Sequence, residues 1–526
     1  MINKVTSRRQ FLRTMGMGAA LLACRQVPVF AADKKKKRPN ILLITVDDMN
    51  WDSPGCFGGK TPDITPNIDR LASEGIRFAH AHITIAVCQP CRSVLMTGRY
   101  PHRNGAEGFQ PINTSVTTLQ EELHKSGYLN GILGKVKHLA PIAKFKWDMA
   151  RDMGELGQGR DPKLYYKFAR DFFHQAANND QPFFLMANSH DPHRPFHGSL
   201  QEKNKFKNNL RDITPPSRVY RDDEINVPGF LPDIPDVRKE IAQYYSSVRR
   251  CDDTVGAVLS ALHESGMEEN TLTMFLSDHG MPLPFAKTNC YLHSTRTPWI
   301  ARWHGKIKPG TVDNRHFISG IDFMPTVLDA AGLAQTKGMD GFSFLPTLLG
   351  KRQANRDNVF TQFHQTSGRN RYPMRCIQNK RFGYIFNPWS DNERVFKNES
   401  QSGLTFKAMQ AAARTNPKIA ARVKLFQYRV VEEFYDFAND PDALNNLSDN
   451  PKYKKELDKM RKELLKWMER TDDSAFEALK HHNSQGALKK FMAEQDAKSG
   501  RKKIKRKNQK KNTTKQTSYN VKESEK

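Results

Sequence analysis

Short apolar runs that end in polar clusters recur along this chain, and they restrict its fold more than any other feature. The stretch PNILLITVDDMN holds an unbroken apolar run at residues 41–46, and similar runs occur in NGILGK, QPFFLMANSH and TLTMFLSDHG. Such runs are typical of strands that are buried on both faces. Segments with helical spacing separate them, including TPNIDRLASEGIRF, TTLQEELHKSGY and the long pattern over residues 239–266. The alternation predicts an α/β fold with a large mixed, mostly parallel sheet sandwiched by helices.

The pattern changes after about residue 370. MRCIQNKRFGYIFN predicts a hairpin that turns around Asn379, Lys380 and Arg381, EEFYDFAND predicts a strand, and KYKKELDKMRKELLKWMERTDD predicts an amphipathic helix. Beyond residue 485 the chain is rich in Lys, Asn, Thr and Gln, a composition typical of disorder. We therefore predict a catalytic domain at 39–360, a smaller C-terminal α+β subdomain at 361–480 and a basic disordered tail at 481–526.

The first 38 residues have the pattern of an export segment. SRRQFLRTMGMGAALLAC places Arg8 and Arg9 before a short apolar run, as in twin-arginine signals, and DKKKKR at 33–38 forms a basic linker. Two processing sites compete: VFAA ending at Ala32, which we favour, and LLAC ending at Cys24, which would leave a lipid anchor. No apolar run reaches the roughly 20 residues of a transmembrane segment. We predict a signal peptide at 1–32, the twin-arginine export machinery as a partner, and a periplasmic or extracellular location.

The net charge of +27 is concentrated at the two ends of the chain. Residues 1–38 carry +9 and residues 486–526 carry +10, which leaves about +8 on the body. Basic ends are usually solvated tails, and no nucleic-acid recognition motif accompanies them. We therefore expect no specific nucleic-acid partner, whereas a polyanionic substrate suits a basic body.

Polar side chains collect where the predicted strands end. In doubly wound sheets, ligands bind at the carboxyl edge of the strands. Paired carboxylates there repel each other unless a cation lies between them, and oxygen donors favour a hard divalent ion such as Ca²⁺ or Mg²⁺. For any single Asp, an Asx turn or a helix cap is the alternative. The residues that follow the strands in this way are Asp47, Asp48, Asp278, His279, His190, Lys135 and His138.

The stretch VCQPCRSVLMTGRYPHRNG contains a C-x-x-C pair, Cys88 and Cys91. A zinc site would need a second Cys or His pair, for which only HDPH at 190–193 is a candidate, and a thiol redox site would need its own small domain. The third reading is a helix entry, because Pro90 suits a first turn and Gly98 a helix end. A helix N-terminus attracts anions, and Arg92 adds a guanidinium fork to it.

The segment from Cys88 onward resembles the signature of the type I, formylglycine-dependent sulfatases. It has the pattern C-x-P-x-R, formed by Cys88, Pro90 and Arg92, followed by SVLMTGRYPHRNG. Further blocks resemble that family, in the family's order, over residues 38–475. They are RPNILLITVDDM, TPNIDRLASEGIRF, GILGK, FLSDHG, GIDFMPTVLDAAG and EFYDFANDPDALNNL. SHDPHRP, YPMR and the KWMERTDD helix are most similar to the heparan N-sulfatase, or sulfamidase, branch. The resemblance implies an alkaline-phosphatase-like fold and hydrolysis of sulfate groups on a sulfated carbohydrate.

The resemblance also implies roles for individual residues. Cys88 would be converted to formylglycine by a separate maturation enzyme, and the hydrated aldehyde would be the nucleophile. Arg92 would hold that residue, and His364 would contact substrate. His190 or Lys287 would give a proton to the leaving oxygen, and His138 would take one from residue 88. Lys135, His190 and Lys287 would contact the sulfate. Ca²⁺ would be held by the residues that match the family's metal positions: Asp47, Asp48, residue 88, Asp278 and His279.

Three alternatives remain open at this stage. Gln365 stands where the sulfamidase branch is expected to carry an acidic residue, which leaves O-sulfate and N-sulfoglucosamine as competing substrates. A phosphomonoester or phosphonate hydrolase is possible on the same scaffold. A non-catalytic sulfoglycan-binding protein would need neither the formylglycine nucleophile nor the proton-transfer residues. We assign His80, His82, His102 and His193 structural rather than catalytic roles, and we treat Asn398, Glu399 and Ser400 as a sequon without significance for a bacterial protein.

Overall fold

The computed structural model describes residues 37–207 and 213–499. The described residues from Pro39 onward form one compact unit. The predicted signal peptide at 1–32, residues 33–36 of the linker and residues 500–526 of the predicted tail lie outside the described residues. The domain boundary at residue 360 stays a prediction.

Fourteen strands lie within the described residues. In chain order they are β1 Asn40–Val46, β2 Ile76–Phe78, β3 Ala81–His82, β4 Leu129–Leu133, β5 Met149–Arg151, β6 Phe183–Asn188, β7 Thr271–Ser277, β8 Trp299–Arg302, β9 Thr311–Asp313, β10 Ile318–Ser319, β11 Val359–Gln365, β12 Arg371–Gln378, β13 Phe382–Phe386 and β14 Glu432–Asp436.

Fifteen α-helices lie in the same part of the chain. They are α1 Pro66–Ser73, α2 Cys88–Thr97, α3 Pro101–Asn104, α4 Leu119–Lys125, α5 Pro162–Asn178, α6 Leu200–Lys205, α7 Pro235–Glu264, α8 Leu292–Thr295, α9 Phe323–Ala330, α10 Leu345–Leu348, α11 Leu404–Ala412, α12 Pro417–Tyr428, α13 Lys454–Arg470, α14 Phe476–Lys480 and α15 Gln485–Lys498.

The main sheet has eight strands in the order β5-β4-β6-β1-β7-β8-β2-β9. The five strands from β5 to β7 pair in parallel, β8 is antiparallel to both of its neighbours, and β2 pairs with β9 in parallel. Every residue of β1, β6 and β7 is buried, as continuous apolar runs require. The prediction of a mixed, mostly parallel sheet is confirmed.

Helices lie between the strands in the predicted alternation. The long helix α7 packs along α5, and α5 in turn packs on β4 and β6. Helix α7 begins at Pro235, four residues before the predicted pattern, because a proline is accommodated at the first helical position. At α4 the Thr118 side chain accepts a hydrogen bond from the Glu121 backbone N–H, and the Glu121 carboxylate accepts one from the Thr118 backbone N–H. The predicted capping box is therefore confirmed.

A separate antiparallel sheet, β11-β12-β13-β14, forms the C-terminal part of the fold. Strands β12 and β13 pair as a hairpin whose turn is residues 379–381, as predicted. Helix α13 packs on both strands of this hairpin. Arg375 of β12 donates to both carboxylate oxygens of Asp473, at 2.5 and 2.8 Å, and both side chains are buried.

The structure differs from the expected tail in one segment. Helix α15 occupies Gln485–Lys498, where we predicted disorder. Leu488, Phe491 and Met492 follow helical spacing and are buried, so this helix has an apolar stripe that the high lysine content of the segment concealed. No helix among the described residues is long and apolar enough to cross a membrane.

We expect Asp473→Asn to lower the free energy of unfolding of the C-terminal part by about 3–5 kcal/mol, because it leaves the buried Arg375 without its charge partner. The midpoint of urea denaturation measures this. The matched control is Lys466→Gln, which breaks the exposed pair with Glu463 and should cost about 1 kcal/mol or less. Equal losses of unfolding free energy in the two variants would contradict the expectation that the buried pair Arg375–Asp473 contributes more than the exposed pair.

Candidate active site

The acidic residues after β1 and β7 leave the sheet side by side. Val46 pairs with Ser277 in the parallel register, so Asp47 and Asp278 occupy adjacent positions beyond the strand ends. The backbone N–H of Asp48 donates to Asp278 Oδ1 at 3.2 Å, and the φ of 73° at Asp48 turns the chain sharply. The three carboxylates are fully buried.

These side chains form a cluster with the geometry of a metal centre. Asp47, Cys88, Asp278 and His279 each place a donor atom within 4.8 Å of the others. Asp48 Oδ1 lies 3.2 Å from His279 Nδ1 and therefore borders the cluster. The buried atoms Asp47 Oδ1, Asp48 Oδ1 and His279 Nε2 have no hydrogen-bond partner. Since buried polar atoms are rarely left unsatisfied, the carboxylate oxygens of this cluster fit a hard divalent cation such as Ca²⁺.

His279 is arranged to act as a neutral ligand. Its Nδ1 lies 3.0 Å from the carbonyl oxygen of Gly280, a contact that assigns the proton to Nδ1 and leaves the lone pair on Nε2. Burial lowers the pKa of His279 to about 4, against the opposing field of Asp278. The imidazole is therefore neutral near pH 7, as a metal ligand must be.

Three cations hold the carboxylates in place. Lys135 forms an ion pair with Asp47, and Arg92 Nη2 lies 3.1 Å from Asp278 Oδ2. Lys287 Nζ donates to Asp48 Oδ2 at 2.9 Å and to Glu399 Oε2 at 2.8 Å. Burial raises the pKa of Asp48 to about 8 despite Lys287, and burial lowers that of Lys135 to about 7 despite Asp278. Four carboxylates, those of Asp47, Asp48, Asp278 and Glu399, thus face three cations. A divalent metal ion would reverse this deficit of positive charge.

Cys88 is the first residue of α2, and Gly98 ends this helix with a left-handed φ of 60°, as predicted. Burial raises the pKa of the Cys88 thiol to about 12 and that of Cys91 well above its usual range. A protonated thiol is a poor nucleophile, and the six cysteines in the described residues are unpaired. Cys91 belongs to neither candidate metal group in the described residues. The C-x-x-C pair is therefore neither an activated redox site nor half of a zinc site.

A cavity of about 340 Å³ opens over the cluster. Five of the predicted site residues line it: Cys88, Lys135, His138, His190 and Lys287. Burial and nearby Lys135 lower the pKa of both His138 and His190 well below the usual range. His138 Nδ1 and His190 Nδ1 are buried without a hydrogen-bond partner, so each ring keeps a nitrogen available for proton transfer.

The structure does not bring His364 to this cavity. Its ring is 1 % exposed, lies 2.5 Å from Gln362 Oε1 and 3.4 Å from Glu107, and does not belong to the cavity lining. His364 lies on β11, and its contact with substrate stays a prediction. Thr366 and Ser367, which follow β11, reach the cavity instead.

Glu399 is not among the predicted site residues and His193 is predicted to be structural, yet both line the cavity. Glu399 begins the 3₁₀ turn Glu399–Ser402 and lies in the cavity wall, with Oε1 3.4 Å from His193 Nε2. The local sequence at residues 398–400 indicates only a sequon, and no local spacing links Glu399 to Lys287, which is far away along the chain. His193 does carry a sequence signal, since it follows a strand end in HDPH, but a lone histidine is more often structural.

Buried ion pairs fix the loop that carries His190 and His193. Asp191 accepts from Arg160 Nε at 3.1 Å and from Arg250 Nε at 2.6 Å. The backbone N–H of His190 donates to the Gly159 carbonyl, and at φ 73° a side chain at Gly159 would collide with the His190 ring. The loop after β6 is thus tied to both α7 and the segment before α5.

Two family models match the chain. The model of the sulfatase domain matches residues 39–333, and the model "N-sulphoglucosamine sulphohydrolase, C-terminal" matches residues 278–396. Human N-sulphoglucosamine sulphohydrolase is 29% identical over 473 residues, which cover 83% of this chain and 91% of that protein. An ulvan-active sulfatase of Formosa agariphila is 30% identical over 443 residues, which cover 83% of this chain and 81% of that protein.

Solved structures share the fold. One protein bound to its substrate D-glucosamine-2-N,6-O-disulfate superposes with a TM-score of 0.61 at 18% identity, covering 83% of this chain and 99% of its own. A phosphonate monoester hydrolase of Agrobacterium radiobacter gives 0.60 at 17% identity, covering 82% of this chain and 96% of its own. The alkaline-phosphatase-like arrangement of a mixed sheet between helices is confirmed.

We expect Ca²⁺ to stabilise the folded protein and Asp278→Asn to abolish that effect, because the variant removes a charged oxygen donor from the cluster. A cation that binds the folded state at about 100 times its Kd adds about 2.7 kcal/mol to the free energy of unfolding. Thermal unfolding in Ca²⁺ and in chelator measures it. Asp222→Asn, an exposed carboxylate, is the matched control. An equal Ca²⁺ response in Asp278→Asn would contradict the cluster.

Proposed function

Since the chain belongs to the sulfatase family and is a sulfuric ester hydrolase that acts on sulfated carbohydrate, we propose that Cys88, matured to formylglycine, is its nucleophile and that Ca²⁺ is its metal. The observation that carries this proposal is the position of Cys88. Its sulfur lies at the first residue of α2, in the carboxylate cluster and in the cavity wall at once. As a thiol it is protonated and unreactive, so a role in catalysis requires its conversion to another group.

The metal would be held by Asp47, Asp48, Asp278 and His279, with residue 88 beside them. When bound, Ca²⁺ would supply positive charge that polarises the sulfate and offsets its negative charge. The fit rests on the unsatisfied buried atoms Asp47 Oδ1, Asp48 Oδ1 and His279 Nε2.

Lys135, Lys287 and Arg92 would prepare the site for an anion. A sulfate group cannot approach buried carboxylates unless cations outweigh them. Lys135 and Lys287 line the cavity, and Arg92 stays behind it, where Nη1 donates to Thr45 Oγ1 at 3.0 Å. Because Arg92 is fixed both to β1 and to Asp278, it would hold the N-terminal turn of α2 at the cluster and keep residue 88 in place.

His138 and His190 would carry the proton transfers. A neutral imidazole has one N–H donor and one acceptor nitrogen, so each ring can give or take a proton without a change of position. We assign the proton for the leaving oxygen to His190, which Gly159 holds against the wall. We assign the acceptor role at residue 88 to His138, at the end of the 3₁₀ turn Val136–His138.

We propose a sulfate ester as the preferred substrate, with an N-sulfate as the second candidate. The second candidate is favoured by the match of residues 278–396 to the sulphoglucosamine sulphohydrolase model. Gln365 is not in the cavity lining, whereas Glu399 is the carboxylate that lines it. Glu399 could therefore accept a hydrogen bond from a sulfamate N–H in place of an acidic residue at 365.

Maturation and export are part of the same proposal. Cys88 requires a formylglycine-generating enzyme as a partner, and the twin arginines Arg8 and Arg9 fit export to the periplasm or beyond. Because Cys88 is buried in the folded chain, we place its maturation before folding is complete.

We expect Cys88→Ala to lose sulfatase activity by roughly 10⁴-fold or more, the scale for removal of a catalytic nucleophile. Cys91→Ala is the matched control: it deletes the neighbouring buried thiol and should retain the wild-type rate. Free sulfate released from 4-nitrophenyl sulfate measures both, and the mass of the tryptic peptide that contains residue 88 reports the modification. A native-host protein with unmodified Cys88 would favour a non-catalytic glycan-binding protein.

A panel of four substrates separates the remaining activities. We expect hydrolysis of 4-nitrophenyl sulfate over 4-nitrophenyl phosphate, because residues 39–333 match the sulfatase domain model. The comparison of glucosamine 6-O-sulfate with N-sulfoglucosamine decides between the two candidate substrates. The ratio of kcat/KM values measures each preference. A preference for the phosphate would contradict the sulfatase assignment, and a preference for N-sulfoglucosamine would select the second candidate.

A further inference from the structure

A second cavity, of about 400 Å³, adjoins the catalytic one. We call it the lysine pocket. Its charged lining residues come from three helices and one loop: Lys203 of α6, Lys239 and Glu240 of α7, Lys407 of α11, and Arg194 of the loop after β6. None of the three lysines has a role in the proposed chemistry.

The charge of the lysine pocket is strongly positive and uncompensated. Its one carboxylate, Glu240, is fully engaged: it accepts from Arg194 Nη1 at 2.6 Å and from the backbone N–H groups of Leu404 and Thr405 at 3.0 and 2.7 Å. Within the described residues, Lys203, Lys239 and Lys407 have no carboxylate within ion-pair distance. Arg194 Nε is buried without a hydrogen-bond partner. Such a pocket attracts an anion.

The uncharged lining of the lysine pocket suits a sugar ring. Leu200, which is 72% exposed, and Leu404 give it apolar surface, to which the lysine side chains add their methylene groups. Gln201, Asn204 and Gln243 add neutral donors and acceptors. Apolar walls with a few polar groups are typical of small-molecule sites. An anionic sugar unit has both the apolar ring face and the charge that this lining complements.

The two cavities are built from the same elements. Arg194 lines both of them. Helix α6 contributes Lys205 to the catalytic cavity and Lys203 to the lysine pocket, and the turn Glu399–Ser402 contributes its first residue to one and its last to the other. The two cavities therefore lie on either side of Arg194.

We propose that the lysine pocket binds an anionic substituent, a sulfate or carboxylate, on a neighbouring sugar of the glycan whose sulfate is hydrolysed. This inference rests on the proposed function, because it assumes that the catalytic cavity holds a sulfated sugar. It makes the enzyme selective for oligosaccharides with a second negative charge over sulfated monosaccharides.

The test uses the triple variant Lys203→Gln/Lys239→Gln/Lys407→Gln in the full chain. Arg194 is left unchanged because it also lines the catalytic cavity. The matched control, Lys454→Gln/Lys455→Gln/Lys462→Gln, removes the same charge from exposed lysines of α13. The probes are a heparin-derived tetrasaccharide, the same tetrasaccharide with only its terminal sulfate and no carboxylate, and 4-nitrophenyl sulfate.

We expect the pocket variant to raise KM for the fully charged tetrasaccharide roughly tenfold, the sum expected for three exposed ion pairs, with kcat unchanged. The rate of the pocket variant on 4-nitrophenyl sulfate should not change. The control variant should keep the wild-type KM for the fully charged tetrasaccharide. An equal rise in KM for both tetrasaccharides, or the same rise in the control variant, would overturn the proposal.

Binding to Cys88→Ala, measured by calorimetry with and without the pocket substitutions, separates this inference from the proposed function. If Cys88→Ala loses affinity for the fully charged tetrasaccharide only when the pocket lysines are replaced, the result supports binding in the lysine pocket. This holds whatever the rate of sulfate release by the wild-type enzyme. An affinity that the pocket substitutions do not alter overturns it. Absence of sulfate release by the wild-type enzyme from every probe would instead refute the proposed function.

Discussion

Charge balance at the carboxyl edge of the main sheet is the constraint on which the rest of the structure depends. Asp47, Asp48 and Asp278 are buried together because β1 and β7 are adjacent parallel strands in register. Carboxylates so close in a low-dielectric interior cannot all stay ionised without cations. Helix α2 supplies Arg92, the end of β4 supplies Lys135, and the loop after β7 supplies Lys287. Three separate segments are therefore held in place by one electrostatic requirement.

The same requirement explains why the cavity walls are rigid. Asp191 is paired to Arg160 and Arg250, and Glu240 is paired to Arg194, all of them buried. Breaking a buried pair leaves an uncompensated charge, which costs far more than an exposed pair contributes. The loop that carries His190 and His193 is therefore held by the ion pairs of Asp191 and Arg194 within it. A proton-transfer group needs this fixed position, because hydrogen-bond reach tolerates little displacement.

The strand ends and helix α2 could be predicted because their signals are local. A buried apolar run followed by Asp47 and Asp48, and a Pro90 to Gly98 helix, each lie within a dozen residues. Glu399 could not be predicted, because it reaches Lys287 only through the packing of the C-terminal sheet and its loops. Thr366, two residues after His364, lines the cavity, while the ring of His364 faces Gln362 and Glu107 inside the fold, a difference that the sequence pattern does not reveal. Helix α15 was hidden by lysines that surround its apolar stripe.

The two cavities would treat an anion by different physics. In the catalytic cavity the cations are buried and already paired with carboxylates, so only a group that completes that balance is stabilised, and the field there is screened little by salt. In the lysine pocket the cations Lys203 and Lys407 are exposed and unpaired within the described residues, so their attraction is weak, screened by salt and not specific to one sugar. Recognition there would depend on the spacing of charges along the glycan rather than on the identity of each ring. Selection of the chain and chemistry on its terminal sulfate would then be carried by separate groups, and either can change in sequence without loss of the other.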